Sequence, residues 1–417
     1  MPSRRWLRII PVALVMYTIA YVDRTNISLA LPSMSRGLHM DPQQAGSAAG
    51  IFFWGYLLLQ VPGGYLARHW SAKRLISLLL VLWGACAVAG GLVHTERQLW
   101  LARLLLGVAE GGVFPATLVL LTHWFARAER ARANAYWMLC QPLAIILSAP
   151  VSGWILGRWD WRVLLIVEGA LPFVWLIVWT LGIDDHPDRA SWLGAEEREY
   201  VMVTLLREAA ELNCASRPGF LPLLFSRSIW LLIAVYFLLN CGGYGFLFWL
   251  PSAIARAGRF SSLETGFLYS LPYVVAGLTM VLNSRHSDRT GERRGHVALP
   301  LALAGLFLSA AVITSGRSSI LAFALLCVAG AGPYAAIAPF WAIPSELLPR
   351  EFAGSAMGLV NAIGALGGYF GPLVVGVLDK RFGDFRFAFI ALSAGLLAAA
   401  GLSLLTPRRP TRQAVRR

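Results

Sequence analysis

Apolar residues run along this chain in long blocks, separated by short polar segments rich in arginine. About 20 apolar residues make a helix long enough to cross a bilayer, and the blocks reach that length. They predict spans at 9–32, 45–67, 75–93, 98–124, 133–157 and 162–183. After a long polar segment, further spans are predicted at 229–252, 263–283, 296–315, 318–345, 353–378 and 384–405. The expected fold is an all-α polytopic membrane protein, with twelve transmembrane helices in two six-helix pseudo-repeats around a central cavity. Residues 1–183 are the N-terminal six-helix bundle and 229–405 the C-terminal one. Between them, 184–228 is a linker with an amphipathic pattern from Ala195 to Leu212, and 406–417 is a basic tail.

The two halves repeat. Gly64-Tyr-Leu-Ala-Arg68-His69-Trp-Ser71-Ala-Lys73-Arg74 joins spans two and three. Ser284-Arg-His-Ser-Asp288-Arg289-Thr-Gly291-Glu-Arg293-Arg294 joins spans eight and nine, at an offset of 220. The loops Ala128-Glu-Arg130-Ala-Arg132 and Pro349-Arg350-Glu351 correspond within a residue or so. Basic loops recurring in two parallel six-span halves are the mark of a transporter whose site lies at the interface of the halves.

Composition agrees. Hydrophobic residues make up 57% of the chain and the mean hydropathy is +0.61, above the roughly 45–50% of soluble domains. The net charge of +14 lies in loops rather than on one soluble face, which argues against nucleic acid as a partner. With both termini inside, 24 of the 36 basic residues fall on the inner side and 10 on the other. The positive-inside rule then places both termini and the linker in the cytoplasm. The five cysteines form no CxxC pair and read as small buried residues. Arg4-Arg5 before an apolar run faintly resembles a signal peptide, but the run is long and charged, so it is expected to stay as span one. No GxSxG, HExxH or Walker lysine loop occurs, so neither an enzyme nor a cofactor is expected.

Within the spans, charge is rare. Tyr21-Val-Asp23-Arg24-Thr-Asn26 sets two opposite charges side by side near the centre of span one. A charge there costs at least about 2.5–3.5 kcal/mol on insertion scales and marks either a substrate or ion path or a structural ion pair. Arg103 and Glu110 in span four are seven residues apart and so share a helix face. Polar residues at similar depth are Tyr56, Gln141, Tyr236, Asn240, Tyr244, Trp341 and Asn361. The second half has no charge deep in a span. Glu168, about two turns into span six, reads as a structural acid. Gly354, Gly358, Asn361, Ala365 and Gly368 form a small-residue stripe suited to close helix approach. Pro115, Pro142, Pro150, Pro339, Pro344 and Pro372 are expected to bend their helices. Asp184-Asp185-His186 reads as a solvated span end.

The loop pattern G-x-x-x-D-R-x-G-x-R resembles that of the major facilitator superfamily. The second copy keeps Asp288, Arg289, Gly291 and Arg293, while the first has Arg68 in place of Asp and Ser71 in place of Gly. The resemblance implies a gating role for Asp288, Arg289, Gly291 and Arg293, and a latch between the halves at the first-copy Asp that Arg68 replaces here. Within that superfamily the chain is similar to the anion:cation symporters, through Tyr21 to Ser28, Arg103 to Pro115, Trp161-Arg162, Glu168-Gly169, Asp184 to Leu193 and Trp249-Leu250-Pro251. That likeness implies proton coupling at Asp23 and Glu110. It implies substrate binding at Arg24 and Arg103, with Gln141 and Asn361 as polar contacts; Tyr21, which shares the Arg24 helix face, and Tyr56, Tyr236 and Asn240, polar residues within the spans, are further candidates. All are expected to line the cavity. The implied function is uptake of an organic carboxylate (a sugar acid, a tartrate-like diacid or an aromatic acid) by proton symport, in a monomer of the bacterial inner membrane. Export of an organic anion or drug by proton antiport, and a transporter-like sensor, are the competing readings.

Overall fold

The computed structural model describes residues 4–213, 226–258, 260–347 and 350–407. Among these, eleven helical stretches are long and apolar enough to cross a membrane. One of them, Pro42–Gly91, is 50 residues long, about 75 Å if straight, against a bilayer core of about 30 Å. It is not straight. After the π-helical turn Ala67–Ser71, Ser71 takes extended backbone angles (φ −176°, ψ 127°) and its hydroxyl accepts from the Arg74 N–H at 2.9 Å, starting a new helix. The stretch therefore makes two passes, and the described residues make twelve.

Helix starts follow from local chemistry. Spans two, four, six, eight and twelve begin at Asp41, Thr95, Asp160, Ser261 and Asp384, whose side chains accept from the backbone of the first turn. A cap at the membrane edge satisfies N–H groups that lipid cannot. Interruptions at Gly112 and Leu139 lie three residues before Pro115 and Pro142, where a proline removes a helix bond. Pro150, Pro339, Pro344 and Pro372 lie within unbroken helices.

The halves press together on the face away from the chain termini. Gly46 packs on the Pro372 carbonyl and Gly376 on the Pro42 carbonyl, so neither site has room for a Cβ. At the other seam, a Cβ on Gly153 would lie 2.5 Å from the Ser262 carbonyl oxygen. Lys380 reaches Asp41 at 2.9 Å across the same face. Burial pushes the Asp41 carboxyl up, but the hydrogen bonds from Lys380 and the Gln44 N–H outweigh it and hold the group below its ordinary value. Nearer the terminal face, Asn361 donates to Gln60 at 3.1 Å. In the span-eleven stripe, Gly368 lies against the Phe53 ring of the opposite half, whereas Gly358 faces open space. The surroundings of Gly354, the side chains of Arg350 and Glu351, Pro349, and the linker and tail residues 214–225 and 408–417 lie outside the described residues.

The segment after span six departs from expectation. Asp184-Asp185-His186 is a clamp rather than a solvated end. Asp185 accepts from the Ser71 hydroxyl and, at 2.8 Å, from the Lys73 N–H. Asp184 accepts from Trp192 Nε1 at 2.9 Å, and His186 stacks on His123 at 4.2 Å. The helix Ala195–Asn213 is likewise tied to the first half, through Glu197 to Arg5 at 3.2 Å and Glu208 to Arg130 at 3.1 Å.

Candidate functional site

A cavity of about 60 Å³ lies between the halves. The first half gives it Tyr17, Tyr21 and Arg24 from span one, Phe53 and Tyr56 from span two, Phe114 from span four, and Met138 and Gln141 from span five. The second half gives Tyr236, Asn240 and Tyr244 from span seven, Tyr334 and Trp341 from span ten, and Asn361 from span eleven. Arg24 is the one charged side chain among the residues that line it.

Arg24 is 4% exposed and held from several sides. Its Nη2 donates to Glu110 Oε2 at 3.0 Å. Its guanidinium lies 4.8 Å from the Tyr56 ring centre, 5.0 Å from Phe52 and 5.1 Å from Tyr21. Such rings favour a desolvated cation by roughly 0.5–2 kcal/mol each. Arg24 Nε and Glu110 Oε1 are buried without a hydrogen-bond partner, so the pair is not saturated.

Asp23, Glu110 and Arg103 do not line the cavity, contrary to expectation. They are buried behind its wall, inside the first half. Arg103 donates to the carbonyl of Asp23 at 3.2 Å and to that of Arg24 at 3.3 Å. It thus staples span four to the backbone that carries Arg24. The physical reason is reach: a guanidinium beside a neighbouring helix finds carbonyl acceptors that a shared helix face does not disclose. Asp23 Oδ2 accepts from Trp83 Nε1 at 2.6 Å, while its Oδ1 has no partner. Glu168 accepts from the Ser152 hydroxyl at 2.6 Å and is buried. Behind the cavity there are therefore three buried acids and one further arginine, and of the acids Glu110 bonds to the Arg24 side chain.

The other expected contacts, Tyr21, Tyr56, Gln141, Tyr236, Asn240 and Asn361, all line the cavity. Tyr21 and Tyr244 share a hydrogen bond across the halves at 3.1 Å. Tyr17, Phe53, Phe114 and Tyr334 also line it and were not singled out from sequence, because aromatic residues are common in apolar helices and carry no spacing signal. Trp83, the partner of Asp23, was missed for the same reason.

In the second loop copy, Gly291 has φ +67°, a left-handed angle that glycine adopts at no cost, and closes span eight. Arg293 joins Asp288 at 2.6 Å and Glu346 of span ten at 3.0 Å, while Arg289 is exposed. The first copy needs no glycine at Ser71, because extended backbone and an N-cap replace the left-handed turn. Arg68 lies exposed.

Residues 13–372 match the sequence profile of the Major Facilitator Superfamily. The chain belongs to that superfamily. It is 33% identical over 409 residues to a putative tartrate transporter of Agrobacterium vitis, covering 96% of this chain and 90% of the relative. It is 30% identical over 417 residues to a quinolone resistance transporter of Acinetobacter baumannii, covering 97% and 94%. Among solved structures, a bacterial homologue of the human lysosomal transporter Spinster, inward-facing and occupied, superposes with a TM-score of 0.79 at 16% identity over 98% of both chains. That likeness shows the fold.

Proposed function

We propose that this member of the superfamily carries an organic carboxylate by proton symport, importing it through alternating exposure of the cavity to the two membrane faces. The observation that carries the reading is Arg24, a buried cation facing the cavity whose counterion, Glu110, lies on the side away from it. A carboxylate arriving at Arg24 competes with Glu110 for the guanidinium. Glu110 stripped of its partner in a dry site is held best as the neutral acid. Substrate and proton then bind with positive, reciprocal coupling. Asp23, one residue away in the same buried set, is the second candidate for the proton.

Relatives support the anionic half of this reading. Tartrate and the quinolones, after which these two relatives are named, both carry a carboxylate, the group that Arg24 would hold. The quinolone relative also favours a second reading, export of such an anion by proton antiport. Bacterial relatives and the basic asymmetry support an inner-membrane protein with cytoplasmic termini. Uptake of labelled acids into cells, with and without an uncoupler, tests the proposal. Symport gives accumulation that the uncoupler abolishes, and export gives accumulation that the uncoupler raises.

A further inference from the structure

The cavity wall narrows the substrate class, on the reading that an organic carboxylate binds at Arg24. With one cation among the lining residues, a second carboxylate on the substrate would be buried without a counterion. An unpaired buried charge weakens binding on the order of a thousandfold. A polyhydroxy acid fares little better, because Tyr21, Tyr244, Asn240 and Asn361 are already engaged with protein groups. Tyr21 and Tyr244 bond to each other at 3.1 Å, and Asn361 donates to Gln60 at 3.1 Å. Asn240 spends its amide N–H groups on the carbonyls of Tyr236 at 2.9 Å and Gly364 at 3.2 Å. Each substrate hydroxyl buried without a partner costs roughly a factor of five or more.

What the wall does offer is ring faces and, at Gln141, a buried acceptor without a partner. Tyr236 stacks on Phe340 at 5.2 Å and meets Trp341 edge-on at 5.0 Å, while Tyr244 stacks on Phe248 at 5.9 Å. Gln141 is 9% exposed, lines the cavity, and has a buried Oε1 without a hydrogen-bond partner. We infer that the substrate is a flat aromatic monocarboxylate bearing one ring hydroxyl: its carboxylate sits on Arg24, its ring against the aromatic wall, and its hydroxyl donates to Gln141. Gln141 is then a specificity-determining residue, since a buried acceptor rejects an analogue that lacks the donor.

The test is equilibrium binding to the purified full chain of 3- and 4-hydroxybenzoate, benzoate, gluconate and tartrate. A hydroxybenzoate binds best, about two- to ten-fold tighter than benzoate, the worth of one hydrogen bond, and gluconate and tartrate bind far more weakly than either. In Gln141→Leu the hydroxybenzoate and benzoate affinities become equal, and the retained benzoate binding reports that the variant is folded. If gluconate or tartrate binds best, with dependence on Arg24, the aromatic assignment is overturned while the organic-anion reading stands. If Gln141→Leu leaves the preference for hydroxybenzoate intact, the role of Gln141 is wrong. Should no carboxylate of any class bind, both this inference and the reading beneath it fail.

Discussion

Replacing Arg24 by alanine removes two things at once, and a second substitution separates them. In the resting protein Arg24 neutralises Glu110, which is fully buried, across 3.0 Å. Removing one partner of a buried ion pair costs about 3–5 kcal/mol, chiefly because the other charge is left alone. In a Glu110→Gln background that charge is absent and Arg24 is itself the unpaired one, so the further loss on Arg24→Ala is at most that of a hydrogen bond, about 1 kcal/mol. Substrate binding behaves differently. A charge-assisted contact contributes about 1.5–3 kcal/mol, or roughly 10- to 150-fold in Kd, and it is lost in either background. The assay is a double-mutant cycle read twice, by denaturant unfolding in mixed micelles and by equilibrium binding of a labelled carboxylate. Coupling in stability without coupling of that size in affinity is the expected pattern. If the double variant binds the anion as tightly as Glu110→Gln alone, Arg24 is only a structural counterion and the assignment of the site is refuted.

Three further outcomes follow from the same geometry. Arg103→Lys keeps one donor for the carbonyls of Asp23 and Arg24 and should weaken binding only several-fold, with the order of substrate preference unchanged; a loss as large as that of Arg24→Ala would place Arg103 on the substrate. Gly153→Val forces a side chain into the Ser262 backbone, so it should hold the halves apart on the face away from the termini and lower transport in a folded protein, read as increased labelling of a cysteine placed in the cavity. The Lys380–Asp41 bridge is half exposed and contributes about 0–1 kcal/mol. Because the Asp41 pKa is depressed, that contribution is present above the ordinary carboxylate value near 4 and disappears only as pH falls through the lowered one. Lys380→Ala should therefore shift the closed-to-open balance equally at pH 5 and pH 8, and a shift confined to one of them would show that another group titrates the closure.

Much of the architecture was legible in the chain because lipid imposes a simple rule, that a span must be apolar and helical. The spans came from block length alone, and the fold at Ser71 hid a pass only from a count of unbroken helices. The site was legible in part. Charge inside an apolar block is costly, so Asp23, Arg24, Arg103 and Glu110 stood out, but cost does not say which way a side chain points. Only Arg24 reaches the cavity, because the others find carbonyls, an indole N–H and the Arg24 guanidinium itself inside the first half. Likewise Asp184 and Asp185 looked solvated because their partners, Ser71, Lys73 and Trp192, include residues more than 100 positions away along the chain. Aromatic wall residues such as Tyr17 and Tyr334 gave no sequence signal, since the same residue types pack ordinary helix interfaces.

Coupling through Glu110 is the claim on which the functional account turns. Glu110→Gln fixes the neutral form that substrate is argued to favour, and paired transport measurements in proteoliposomes read the consequence. Counterflow exchange of labelled substrate should proceed in this variant, because binding at Arg24 and the movement of the halves remain. Accumulation driven by an imposed pH gradient should be lost, because no proton is bound and released at the site. A variant that still concentrates substrate under the gradient would contradict the account and move the coupling to Asp23 or Glu168.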